Sequence, residues 1–126
     1  MEKKPLGYII EDYEDTVNVF TWALEMAGYE VQVAKDGAVA QERLKEIIPD
    51  LIILDLHMPR VSGDVLLRQI RADERLSNTR VFLATADANM AAQLMDQVEL
   101  VLLKPISLAQ LRELAERFKP ESKTNS

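Results

Sequence analysis

A chain of 126 residues holds one domain's worth of core, because two independent cores would each be marginal. Its 15 basic and 21 acidic side chains leave a net charge of −6, which repels phosphate backbones and argues against direct nucleic-acid binding. Hydrophobic residues at 48% exclude a disordered chain, and the absence of cysteine excludes disulfides, thiolate metal sites and thiol nucleophiles.

The N-terminal residues 1–5 are basic, but the apolar stretch after them stops at Glu11, too soon for a signal-peptide core. No apolar run approaches the roughly 20 residues that a membrane helix needs, so the expected compartment is the cytoplasm. The first predicted strand is Leu6–Ile10, running into Glu11 and Asp12. A helix follows over about 15–27, with Asp15 as N-cap and Gly28 as the stop. Its core stripe is Thr16, Phe20, Ala23, Leu24 and Ala27, and at 100° per residue Trp22 points away from Phe20, flanked by Val19 and Met26. Trp22 is therefore either a partly covered surface residue or part of a docking patch for a partner helix or a second copy.

The second strand covers 31–33 and the second helix follows Asp36, ending before Pro49. Leu51–Leu54 is the third strand, ending at Asp55. A third helix starts near Ser62 and Gly63 and frays between Asp73 and Asn78. The fourth strand, 81–84, ends at Thr85, and a helix lies between about Asp87 and Gln97. The fifth strand, Leu100–Leu103, ends at Lys104 and Pro105. The last helix opens at Ser107, in a capping box with Gln110, and ends before Pro120. The domain is expected to span 4–119, and residues 120–126 to form a polar tail or linker stub.

Continuous apolar runs, rather than in-out alternation, indicate strands buried on both faces. Such strands alternating with helices imply an α/β fold, a flavodoxin-like (βα)5 doubly wound parallel sheet. The carboxyl ends of parallel strands share one edge, where ligands bind. Glu11, Asp12, Asp55, Thr85 and Lys104 therefore converge from distant parts of the chain. The second strand ends without such a group and is placed outermost, which gives the order 2-1-3-4-5 with the carboxylates at the switch point. Three carboxylates and one ammonium sum to −2, and a divalent cation neutralises them. All-oxygen ligation favours Mg2+, with Mn2+ the alternative. A carboxylate beside a metal, a hydroxyl and a lysine suits phosphoryl transfer onto that carboxylate.

The segments Tyr8-Ile-Ile-Glu11-Asp12, Leu51-Ile-Ile-Leu-Asp55-Leu-His-Met-Pro59, Ser62-Gly63, Phe82-Leu-Ala-Thr85-Ala and Leu102-Leu-Lys104-Pro105, in that order, resemble the receiver domain of bacterial two-component response regulators. The resemblance covers about 4–119 and implies the following roles. Asp55 is the phosphoacceptor, attacking a phosphohistidine on a sensor histidine kinase or histidine phosphotransfer protein. Asp12 is a direct magnesium ligand, Glu11 acts through water, and His57 contributes its backbone carbonyl. Thr85 hydrogen-bonds the phosphoryl group and shifts on activation, Lys104 pairs with it, and the bond before Pro105 is cis. Such a domain catalyses only its own phosphorylation and dephosphorylation. Its output passes to a partner, to an effector domain absent from these residues, or to a second copy in a homodimer.

The chain departs from the family pattern in three places. Val101 stands where receivers carry a Tyr or Phe whose rotamer follows the threonine. Gln97-Val98-Glu99 replaces the usual Gly-Ala-acidic run, and the stretch from Thr85 to Lys104 is short, which predicts a short or shifted fourth helix. His57 and Asp87 occupy positions that border the phosphoryl group and tune its lifetime. Three other functions compete. A haloacid-dehalogenase-type phosphatase needs a second Asp where His57 stands. A mononucleotide binder needs a Gly/Ser/Thr-rich loop where Glu11-Asp12-Tyr13-Glu14-Asp15 stands. A degenerate receiver would keep the fold as an interaction module without phosphorylation.

Overall fold

In the computed structural model, which describes residues 3–120, the apolar runs form strands β1 (Leu6–Ile10), β2 (Glu30–Ala34), β3 (Leu51–Leu54), β4 (Arg80–Thr85) and β5 (Leu100–Leu103). They pair in parallel in the order β2-β1-β3-β4-β5, as expected, with the half-exposed β2 at one edge. Five helices cover the sheet: α1 (Glu14–Met26), α2 (Gly37–Leu44), α3 (Gly63–Ala72), α4 (Ala88–Leu94) and α5 (Leu108–Arg117). Side chains alternate across each strand, so the core divides in two. Tyr8, Ile10, Ile52, Leu54 and Leu83 meet α2, α3 and α4, whereas Ile9, Ile53, Phe82, Ala84 and Leu102 meet α1 and α5.

Three expectations about the helices change. The N-cap of α1 is Tyr13, not Asp15, and Glu14 and Asp15 occupy the first turn, where carboxylates favour the positive end of the helix dipole. The buried stripe of α1 takes Val17 in place of Thr16, because the sheet-facing sector is centred on Phe20 and Leu24 and Thr16 lies at its margin. The Ser107 hydroxyl accepts from the Gln110 amide at 3.0 Å, but among the described residues the return bond of a full capping box is not made. Gly28 ends α1 with φ +98°, a conformation that glycine adopts at no steric cost. Trp22 and Met26 stand exposed side by side on α1, and Tyr29 anchors α5 through its hydroxyl, which donates to the Ala115 carbonyl at 2.8 Å.

The fourth helix is short, as expected. α4 has seven residues, buries only Ala91 and Leu94, and passes into a 3-10 turn at Met95–Gln97. The Arg71 guanidinium holds the far end, donating to the carbonyls of Gln97 at 2.8 Å and Thr79 at 2.9 Å and to the Glu99 carboxylate at 3.0 Å. Glu99 also accepts the Val81 amide at 2.6 Å, which gives the departure from the family run a structural role at the start of β4. No helix is long and apolar enough to cross a membrane among the described residues. The tail expected at 120–126 lies outside the described residues from 121 onward.

Candidate functional site

At the carboxyl edge of the sheet, β1 delivers Glu11 and Asp12 and β3 delivers Asp55. The Asp55 amide donates to the Ile10 carbonyl and the Glu11 amide to the Ala34 carbonyl, each at 3.0 Å, so the acids are held at the strand ends by continuing ladder bonds. One carboxylate oxygen from each of Glu11, Asp12 and Asp55 lies within 4.8 Å of the others. Glu11 is 1% exposed and Asp55 6% exposed, while Asp12 is exposed. The expected triad is therefore brought together, with two members inside and one at the rim.

Lys104 sits against both buried acids. Its ammonium donates to Glu11 Oε1 at 2.6 Å and lies 3.4 Å from Asp55 Oδ2. Burial pushes the Glu11 carboxyl above its ordinary range, the Lys104 bond pulls it back, and the Asp55 charge adds to the rise. The Lys104–Pro105 peptide bond is cis, as the resemblance implied.

His57 meets the acids through its backbone amide. Its amide donates to Asp55 Oδ1 at 3.2 Å, and its exposed ring turns outward to place Nε2 3.3 Å from Asp87 Oδ2. Thr85 is fully buried at the end of β4, its hydroxyl accepting the Asp87 amide at 3.0 Å and its carbonyl accepting the Lys104 amide at 2.9 Å. The sequence singled out His57 and Asp87 separately; the contact between them joins the loops after β3 and β4 and depends on the sheet.

The loop from His57 to Ser62 has supports that sequence reasoning missed. Gly63 packs so closely that a Cβ there would lie 2.2 Å from the Asp55 carbonyl oxygen. A Cβ at Gly37 would lie 1.8 Å from the Val61 carbonyl oxygen, and the Gly37 amide donates to the Pro59 carbonyl at 3.0 Å. Arg60 holds φ 71° and pairs through Nε with Asp36 at 2.8 Å. Asp36 was legible only as the residue before a helix; its hold on the loop 24 positions away (60 − 36) is tertiary.

The donor set suits a hard divalent cation. Three carboxylates converge, all ligands are oxygen, and the formal charge with Lys104 is −2. Beside them a groove of about 410 Å³ runs between α1 and the loop after β5, lined by Asp15, Thr16, Val19, Phe20, Pro105 and Ile106.

Comparison with known proteins gives a consistent picture. A family model, described as the response regulator receiver domain, matches residues 8–116. The chain is 36% identical over 114 residues to hybrid signal transduction histidine kinase D of Dictyostelium discoideum, covering 88% of this chain and 7% of that protein. It is 37% identical over 95 residues to the DNA-binding dual master transcriptional regulator RpaA of a Synechocystis strain, covering 75% of this chain and 38% of that protein. It thus spans well under half the length of either curated relative. In fold it is similar to a CheY-like response regulator receiver domain from Methylobacillus flagellatus, with a TM-score of 0.82 at 24% identity, covering 93% of this chain and 100% of that one. It is also similar to the receiver domain of the sensor histidine kinase PA1611 from Pseudomonas aeruginosa, with a TM-score of 0.81 at 25% identity, covering 92% of this chain and 98% of that one. That neighbour is described with a magnesium ion coordinated in its active site cleft.

Proposed function

The chain belongs to the response regulator receiver domain family, and we propose that it accepts a phosphoryl group on Asp55 from a phosphohistidine of a sensor histidine kinase or phosphotransfer protein. The observation that carries this reading is the Asp55 carboxylate itself. It stands at the end of a buried strand beside Glu11 and Asp12, with the Lys104 ammonium 3.4 Å away. An ordinary strand-end aspartate has no need of three charged partners gathered from the neighbouring strand β1 and from β5 at the edge of the sheet.

In this reading an Asp55 oxygen attacks phosphorus and the phosphorus–nitrogen bond of the donor breaks. The electron pair returns to the imidazole nitrogen, which takes a proton from solvent, and Asp55 becomes an acyl phosphate. Glu11, Asp12, Asp55 and the His57 carbonyl would hold Mg2+, or Mn2+ in its place. When bound, the ion offsets charge that develops on the phosphoryl oxygens. Lys104 neutralises Asp55 and Glu11 from 3.4 and 2.6 Å, and the Thr85 hydroxyl is the donor on the β4 side. Attack of water on the acyl phosphate regenerates the carboxylate and releases inorganic phosphate. The domain acts on itself and turns over no metabolite, and the cysteine-free composition suits the cytosolic setting that this role requires.

The domain is proposed to occupy residues 4–119, and its output to pass to a partner, to a further domain of a longer chain, or to a second copy. Phosphodonor docking is assigned to α1 and the groove beside it, because Lys104 and Val19 both line that groove and Trp22 and Met26 stand exposed on the same helix.

The test is labelling with radioactive acetyl phosphate in the presence of Mg2+, with sizing before and after. Stable label in the wild type, absent from Asp55→Asn, supports phosphorylation at this residue. A wild type that takes no label under these conditions is a degenerate receiver. Turnover of a small phosphomonoester would instead favour a phosphatase.

A further inference from the structure

The loop after β3 contains a strained turn. The Val61 amide donates to the Pro59 carbonyl at 2.9 Å, across a single residue, and that residue, Arg60, holds φ 71°. A three-residue turn with positive φ at its centre is the rare, strained form of the γ-turn, because a Cβ crowds the backbone there. Among the described residues Arg60 is the only one besides glycine with positive φ. A side-chain-bearing residue keeps such a conformation only where its surroundings hold it.

The hold comes from the start of α2. The Pro59 carbonyl accepts a second bond, from the Gly37 amide at 3.0 Å, and Gly37 has no Cβ to collide with the Val61 carbonyl oxygen. Asp36 completes the clasp. Its Oδ1 accepts the Ala38 amide at 2.6 Å and the Val39 amide at 3.2 Å, and its Oδ2 takes the Arg60 Nε at 2.8 Å. An ion pair between two mobile side chains contributes little, since both must be ordered. Here the carboxylate is already fixed by two helix amides and its side chain is 19% exposed, so only Arg60 has to be ordered. The other end of the loop belongs to the site. The His57 amide donates to Asp55 Oδ1 at 3.2 Å, and Met58, between His57 and the turn, is buried in the core on the α2 and α3 face.

We propose that Asp36 is a positioning residue for the metal site. Through Arg60 it holds the turn at 59–61 in its strained form, and the turn holds the His57 backbone, so the affinity for Mg2+ depends on a contact at the start of α2. The proposal rests on the reading that Glu11, Asp12, Asp55 and the His57 carbonyl take Mg2+. What the clasp opposes is the conformational preference of Arg60 itself. Glycine at that position adopts the turn at no steric cost, and the clasp is then not needed.

The experiment is titration calorimetry of the whole chain with Mg2+ alone, with urea unfolding and exchange of the Val61 amide measured on the metal-free protein. Asp36→Asn keeps a capping oxygen for α2 but removes the charge that holds Arg60. Arg60→Ala removes the guanidinium and leaves the Cβ. Each should weaken Mg2+ binding by about tenfold, the lower end of what a residue supporting a metal ligand contributes, and should speed exchange at Val61. Arg60→Gly should bind Mg2+ within about twofold of the wild type, and Asp36→Asn should have no further effect in that background. A clasp that only stabilises the fold would lower the urea midpoint of Asp36→Asn and Arg60→Ala and leave their Mg2+ affinity at the wild-type value, and that result overturns the proposal. Equal losses of affinity in Arg60→Gly and Arg60→Ala also overturn it, because the guanidinium and not the turn would then support the site. A wild type that binds no Mg2+ overturns the metal reading of the acids, and the proposal with it.

Discussion

Lys104 lies closer to Glu11 than to Asp55, at 2.6 Å against 3.4 Å. The ammonium expected to serve the phosphoryl group is therefore also the counter-ion of a fully buried carboxylate. An ammonium in that position competes with a divalent cation for the same oxygens. Lys104→Met should accordingly bind Mg2+ more tightly, by about tenfold. That gain is a modest share of the roughly 4 kcal/mol that a unit charge at about 4 Å contributes at an effective dielectric of about 20. Titration calorimetry reads the affinity, and weaker binding by the variant would mean that Lys104 organises the acids rather than competing for them. Acetyl phosphate labelling of the same variant should fall.

Gly63→Ala should cost about 2 kcal/mol or more in urea unfolding, because the added carbon meets the Asp55 carbonyl and the Leu56 Cα, neither of which can rotate away. The shift falls on the strand end that carries Asp55, so Mg2+ affinity should drop as well. A variant of wild-type stability would show that the loop after β3 moves freely relative to α3.

Asp64 gives a dependence on pH. The Ser62 hydroxyl, donating to it at 2.6 Å, holds its carboxyl below the ordinary aspartate range, with Arg68 assisting from 3.6 Å. A depressed folded-state pKa means that the native protein binds this proton less readily than the unfolded chain does. The contribution is therefore complete above the ordinary aspartate range and is lost as the pH falls through the depressed value. Asp64→Asn should destabilise by about 0.5–1 kcal/mol at neutral pH, the worth of a first-turn carboxylate, and should converge with the wild type on acidification. Unfolding curves at neutral and acidic pH decide it, and a gap that persists in acid would assign the effect to packing.

Trp22→Ala should slow phosphotransfer from a phosphohistidine donor by about tenfold, the scale of an aromatic residue at an interface. It should leave labelling by acetyl phosphate unchanged, since a small donor needs no docking surface. Stability should also change little, because the ring is 55% exposed. Equal slowing with both donors would place the effect inside the site and remove α1 from docking.

The strand runs, their order and the identity of the converging residues were legible in the sequence because they rest on local rules. Uninterrupted Val, Ile and Leu runs suit only a covered sheet, and parallel strands carry their polar ends to one edge. Glu11, Asp12, Asp55, Thr85 and Lys104 could be named on that ground alone. The short α4 was visible too, as a missing length of chain. Helix caps were less secure, since Asp15 and Tyr13 differ by two positions and the entry angle of the chain decides between them.

What the chain order does not contain is who neutralises whom. The preference of Lys104 for Glu11, the turn of the His57 ring toward Asp87, and the support of the Asp55 loop by Gly37 and Arg60 all link residues far apart in sequence. Hydrophobic patterning is read from neighbours along the chain and specifies the layers. Hydrogen bonds and ion pairs are short-ranged and directional, so their partners are chosen only when the packed layers bring the strand ends within a few ångströms of one another.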